Sequence, residues 1–186
     1  ILMNLPAGLG LAVLKAAQEQ DLRDSYVWIA PTPLYDLSVP DAVGDYWHGK
    51  IYVNAELAPV NMGGPDAQNW LAVRDAHGKA DDPRDTFSQA GYLSARFFVE
   101  AMLAMDPAQL DDRAAVSAAI RGIVGYESDL MCGPYYVGDA GFHMPNRAGR
   151  MVKVVAGGFE LVRDCYEYES AYFDRHKEVE KALGLN

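Results

Sequence analysis

Gly8-Leu9-Gly10 stands where a short apolar run passes through Pro6 into a helical pattern. Glycines at such a turn let a backbone approach a pyrophosphate held at a helix N-terminus. The third glycine of that motif is replaced by Val13, and the next apolar run ends in Pro31-Thr32 rather than in the acidic residue that would bind a ribose. A dinucleotide-binding enzyme is therefore the weaker reading, and a glycine-containing turn after Pro6 the stronger. His48, His77, His143 and His176 lie in neither HxxxH nor HxH spacing, so they read as surface or hinge histidines, not metal ligands. Ser25, Ser38, Ser88, Ser94, Ser117, Ser128 and Ser170 occupy no GxSxG turn, which removes the hydrolase nucleophile elbow. Asp81-Asp82 and Asp111-Asp112 sit in linker or helix-start contexts and read as solvated faces. Cys132 and Cys165 lack the paired CxxC spacing of a zinc site, leaving free buried thiols and one disulfide both open. Nothing here assembles into an enzyme, and no metal or cofactor is expected.

The elements that must position any site are legible in the apolar pattern. Residues 1–5, 26–30 and 49–54 read as strands, with helices over 9–22 and 40–46 between them. Leu11, Leu14 and Ala17 mark the buried stripe of the first helix, while Lys15, Glu19 and Gln20 mark its wet face. Strand, helix, strand, helix, strand is the pattern of a parallel sheet with right-handed crossovers. In such a sheet ligands bind beyond the carboxyl ends of the strands. Two ends stand out: Asn4-Leu5-Pro6-Ala7, and Ala30-Pro31-Thr32-Pro33-Leu34-Tyr35. Proline frees backbone polar groups at both, and Asn4, Thr32 and Tyr35 add hydrogen-bonding side chains.

Further on, residues 58–64 read as loop, 65–78 as a helix opened by proline, and 79–85 as a charged, proline-broken linker. From Thr86 a long apolar stripe recurs at helical spacing through Phe87, Phe97-Phe98, Met102 and Met105. A second helix over 111–123 follows, then strands over 133–137 and 150–156. Gly157-Gly158 turns a hairpin into 159–162, and 169–183 forms a charged terminal helix. The helices between 86 and 123 carry broad apolar faces with no complete sheet beside them in the sequence. A sheet from outside these residues is expected to cover them.

The 186 residues carry 16 Lys+Arg against 26 Asp+Glu, a net charge of −10 that repels phosphate and makes nucleic acid and anionic lipid poor partners. No apolar run is long enough for a membrane span. The chain opens on ILMN, with neither an initiator Met nor a signal segment, and reads as an internal piece of something longer.

The order of PxG and AAQEQDL, then YVWIAPTP, DAVGDYWHGKIYVN and GYLSARFFVEAM, resembles the type I periplasmic binding proteins, and among them the branched-chain amino acid-type substrate-binding proteins of ABC transporters. The later GPYYVGDAGFH and RMVKVVAGGFELV fit the same pattern, so the resemblance spans nearly all of the chain. It implies an α/β fold of two Rossmann-like lobes joined by a hinge, present here as the later, incomplete portion. Residues 1–83 would be part of the second lobe, 84–138 a return into the first, and 139–186 the last crossing with its hairpin and C-terminal helix. The implied function is extracytoplasmic capture of a small organic ligand (a carboxylate, an aromatic acid, an amide or an amino acid) in the periplasm, by a protein whose precursor carries a signal peptide, followed by docking to a membrane permease. The missing N-terminal half would be a further partner. A ligand-sensing regulator on the same fold is the alternative.

Carried over residue by residue, the second-lobe contacts fall near Leu5-Pro6-Ala7 and Pro31-Thr32-Pro33, and with the hydrogen-bonding side chains of the same strand ends the candidate ligand-binding residues are Asn4, Leu5, Pro6, Ala7, Pro31, Thr32, Pro33 and Tyr35. Tyr92 matches an aromatic of the returning helix, where a core role is expected. Amino-acid-binding relatives place an acidic residue after the second strand of this region. Here that stretch is Ala30-Pro31-Thr32-Pro33, with Asp36 four residues beyond Thr32. The resemblance therefore implies a ligand without an ammonium group: a small carboxylate, an aromatic acid or a neutral amide. The oxidising compartment implies a Cys132–Cys165 disulfide.

Overall fold

Residues 1–3 enter the structure as an extended segment, because apolar Ile1, Leu2 and Met3 are followed by Pro6, which cannot continue a ladder. The computed structural model describes residues 1–59, 64–82, 85–137 and 146–185. The boundaries expected at 83/84 and 138/139, part of the linker and of the loop after the third strand, and His143 lie outside the described residues.

Helix α1 (Ala7–Glu19) starts directly after Pro6 and buries Gly10, Leu14 and Ala17, while Lys15 and Glu19 stay exposed. Gly10 is required by packing: a Cβ there would lie 2.8 Å from the Leu34 side chain. Strand β1 (Trp28–Ala30) leads through a 3-10 turn, Thr32–Leu34, into helix α2 (Ser38–Val43) and then strand β2 (Ile51–Ala55). β1 and β2 pair in parallel, Trp28 opposite Ile51, and Leu2 bridges Ile29 in parallel as well. The early strands thus run as the alternating pattern requires. The first of them is shorter than the 1–5 run suggests.

Helix α3 (Pro65–His77) and helix α4 (Thr86–Leu103) follow, the latter capped by Asp85, whose side chain accepts the Ser88 N–H at 2.8 Å. Helix α5 (Arg113–Arg121) packs on α4, and strands β3 (Val124–Tyr126) and β4 (Tyr135–Tyr136) form a small antiparallel ribbon. β3 was hidden in the sequence at the end of a helical pattern. Strand β5 (Ala148–Val155) pairs antiparallel with β2, and Gly157, at φ +71°, turns it back into strand β6 (Gly158–Glu167). The main sheet therefore has the order β1-β2-β5-β6. β6 runs well past the 159–162 expected, because an edge strand tolerates exposed Arg163 and Asp164 where a central one would not. Helix α6 (Ser170–Ala182) closes the chain. No helix among the described residues is long and apolar enough to cross a membrane.

Apolar packing divides into two clusters among the described residues. One joins the main sheet to α1 and α2 through Leu14, Trp28, Leu34, Trp47, Val53 and Val152. The other gathers Leu57, Ala67, Trp70, Leu93, Leu130 and Met131, with Tyr92 packed against it. Packing passes from one cluster to the other between Ala55 and Leu57, so α3 sits with α4 in the second. Trp70 fixes that contact, its indole N–H donating to the Ser88 hydroxyl at 3.1 Å.

Asp66, at the start of α3, pairs with Arg96 of α4. Burial alone would raise the Asp66 carboxyl, but hydrogen bonds from Ser128 and Arg96 outweigh it and hold it below its ordinary 3.8. A carboxyl depressed in the folded state stabilises the fold above the unfolded value and loses that contribution as pH falls through the folded one. Urea midpoints should therefore drop as pH is lowered below 3.8, the ordinary value. Arg96→Gln should flatten that part of the profile, and an unchanged acid limb in this variant would refute the assignment.

Candidate functional site

The parallel pairing brings the carboxyl ends of three segments to one edge of the main sheet. Ile29 N–H donates to Ile1 O at 2.9 Å and Met3 N–H to Ile29 O at 2.8 Å, so Asn4-Leu5-Pro6-Ala7 leave the sheet beside Pro31-Thr32. Asn4 and Pro6 are exposed, Leu5 and Ala7 half-buried. Pro6 caps α1 without any side-chain hydrogen bond, and the first helical bond runs from Gly10 N–H to Pro6 O. The amides of Ala7, Gly8 and Leu9 precede the intrahelical ladder and carry the positive end of the helix dipole to this edge.

Pro31 holds extended backbone, with φ −83° and ψ 177°, and ends β1. Thr32 then turns back, its hydroxyl donating to Asn54 O at the end of β2 at 3.3 Å, while Pro33 stays exposed. The structure thus brings both expected strand ends together. Tyr35 goes elsewhere. The 3-10 turn carries its ring beneath the sheet, 2% exposed, with its centroid 4.6 Å from that of Phe159 in an edge-to-face contact. Its hydroxyl has no hydrogen-bond partner among the described residues, and burial pushes the phenol well above its ordinary range, so it stays neutral and inward. A 330 Å³ cavity lined by Tyr35, Thr86, Gly157 and Phe159 opens beside it.

Asp36 is committed to the start of α2. Its Oδ1 accepts both the Ser38 N–H and the Ser38 hydroxyl, each at 2.8 Å.

Three residues that sequence reasoning passed over share the edge with Thr32. Asn54 closes a network there: Tyr166 O–H donates to its Oδ1 at 2.9 Å, and its Nδ2 donates to Tyr168 Oη at 3.0 Å. Gly149 leaves room for it, since a Cβ there would lie 2.4 Å from Tyr168 Oη and 3.1 Å from Asn54 Oδ1. Just beyond β2, Glu56 is half-buried, and burial pushes its carboxyl up. The edge therefore offers helix amides, a threonine, a tyrosine–asparagine–tyrosine relay and backbone groups freed by two prolines. That set suits the polar ends of a small molecule and lacks a nucleophile paired with a base.

The periplasmic binding protein family model matches residues 1–158, most of the chain. This chain belongs to that family. No curated protein sequence matches it. Among solved structures, a branched-chain amino acid ABC transporter protein from Thermus thermophilus with bound valine is 17% identical with a TM-score of 0.71, covering 94% of this chain and 47% of its own. A fatty acid ABC transporter substrate-binding protein from Thermomonospora curvata is 17% identical with a TM-score of 0.71, covering 92% and 44%. A solute-binding protein of an ABC transporter from R. palustris, in complex with benzoate, is 18% identical with a TM-score of 0.65, covering 90% and 44%.

At these identities the likeness concerns the fold, which is the type I periplasmic binding protein fold. The chain spans just under half the length of the solved structures it matches. As a periplasmic binding protein it carries its edge network and α1 N-terminus where the fold's strands end, beside the passage from the first apolar cluster to the second.

Proposed function

We propose that this chain forms one wall of a hinged, extracytoplasmic solute-binding protein that captures a small organic ligand for an ABC transporter. The other wall comes from the remaining half of the fold, and the loaded protein docks on a membrane permease. The carrying observation is the convergence of Asn4–Ala7, Pro31–Pro33 and the α1 N-terminus on one sheet edge. Tyr35 is not part of this wall, because its ring is enclosed.

The ligand carries no ammonium group. Burying that charge requires a carboxylate or several acceptors nearby, and Asn4–Ala7 and Pro31–Pro33 include no carboxylate. Asp36 spends an oxygen on Ser38, and burial disfavours the charged form of Glu56. An anionic or amide end instead meets the amides of α1, and Thr32 and the Asn54 relay stand ready for a second polar group. The ligand class is thus a small carboxylate, an aromatic acid or a neutral amide. Enzymatic turnover forms no part of this function.

A thermal-shift panel on the full-length protein tests the class. A ligand at a hundred times its Kd stabilises by about 2.7 kcal/mol, a shift of several degrees. Acids such as benzoate and short-chain carboxylates should contain the responders, and dinucleotides should give none. A shift with dinucleotides alone would overturn the proposal.

A further inference from the structure

Cys132 and Cys165 are joined, their Cα atoms 5.2 Å apart. The bond ties the segment after Leu130-Met131, in the second cluster, to β6 of the main sheet. Arg150 of β5, 3% exposed, lies along it: Nε donates to Cys132 Sγ and Nη2 to Cys165 Sγ, each at 3.1 Å. A disulfide sulfur is a weak acceptor, whereas a thiolate beside a guanidinium is strongly favoured. Arg150 is thus placed to favour a thiolate on either sulfur more than it favours the disulfide. Cys132 is fully buried, while Cys165 is an exposed residue of an edge strand.

We propose that Cys132–Cys165 is a thiol–disulfide exchange site for an external dithiol, with Arg150 as the positioning residue for the departing thiolate. One thiolate of the reductant attacks Cys165 Sγ, forming a mixed disulfide. The Cys132–Cys165 bond breaks, and its electron pair leaves on Cys132 Sγ, beside Arg150 Nε–H. The reductant's second thiolate then attacks its own sulfur in the mixed disulfide and releases Cys165. Two electrons pass to the protein, and the reductant becomes a disulfide. Its two thiol protons pass to solvent or to whichever cysteine reprotonates.

The neighbouring charges set the direction of attack. Asp164 accepts the Cys165 N–H at 2.8 Å and opposes negative charge on that sulfur, whereas Cys132 has the Arg150 Nε–H beside it. Tyr35, another group in the field of Arg150, is held neutral by burial. A thiolate left on Cys132 would be met by a charge-assisted hydrogen bond from Arg150 Nε–H. A thiol of lower pKa also leaves faster.

The test equilibrates the protein in dithiothreitol redox buffers and quenches with a maleimide. Arg150→Met should lower the equilibrium constant for reduction at least tenfold, about 30 mV, and Arg150→Lys should restore part of it. Equal constants in wild type and a folded Arg150→Met would overturn the proposal. Two further readouts stand if Arg150→Met fails to fold. In reduced wild type, Cys132 should titrate below the ordinary cysteine value of about 8.5, and a value at or above it would refute the proposal. With oxidised glutathione as the probe, the Cys165 thiolate of a Cys132→Ala variant should attack the glutathione disulfide and keep one glutathione as a mixed disulfide, the other leaving as thiolate, whereas Cys165→Ala should leave the buried Cys132 unmodified. The reverse pattern would refute the order of attack.

Discussion

The 186-residue chain on its own should sediment as dimers or larger species at tens of micromolar, not as a 20.4 kDa monomer. The reason lies on α4. Phe87 is 57% exposed, Phe98 45%, Val99 50% and Leu103 79%, a stripe too apolar for open water. Phe97 is the exception, half-buried with its ring edge-on to Tyr126 and stacked with Tyr135. Between α4 and α5 a groove lined by Phe98, Met102, Val116 and Ile120 opens to about 440 Å³. A second apolar area surrounds the free side of residues 1–3, where Ile1, Leu2 and Val27 are exposed at the end of the sheet. Net charge of −10 opposes association, but salt screens it within about 8 Å, while apolar burial persists. Phe98→Glu with Leu103→Glu should shift the population toward monomer. A monodisperse, cooperatively melting monomer by ultracentrifugation and calorimetry would show that these faces need no cover.

Trp28→Ala should destabilise the main-sheet cluster by about 3–5 kcal/mol, the largest single-residue effect expected. Trp28 is 2% exposed, and its ring meets Trp47 edge-to-face at 5.0 Å between centroids. Its indole N–H donates to Arg23 O at 3.0 Å, so truncation both opens a cavity and strips that carbonyl of a donor. β1 also carries the bridge to residues 1–3, so losing its anchor loosens both strand ends of the proposed wall. Urea unfolding would measure the change, with Trp28→Phe expected to lose less. A loss below 1 kcal/mol in the alanine variant would mean that the cluster collapses around the gap.

The strand ends were legible because proline writes them into the chain. Pro6 and Pro31 stop the two apolar runs, and an alternating strand–helix order puts such stops on one edge. The Asn54 relay was not legible. Tyr166 and Tyr168 lie 112 and 114 residues from Asn54, and only the antiparallel return of β5 and β6 brings them to the end of β2. Tyr35 misled for a different reason. Its residue type suits hydrogen bonding, but one 3-10 turn decides whether the ring faces the edge or Phe159. Gly10 looked like part of a phosphate motif and instead makes room for Leu34. For Asn54, Tyr35 and Gly10 alike, a contact distant in sequence decided the use of the residue.

Isothermal titration calorimetry on the full-length protein tests the central claim, that one wall of this cleft receives a small ligand lacking an ammonium group. Aromatic and short-chain carboxylates, or their amides, should include a ligand that binds with measurable heat. Thr32→Val and Asn54→Ala should weaken it by removing groups at the sheet edge. Leucine and valine should give no saturable heat, and Asp36→Asn and Glu56→Gln should leave the carboxylate isotherm unchanged. Submicromolar leucine or valine binding, abolished by Asp36→Asn or Glu56→Gln, would contradict the account.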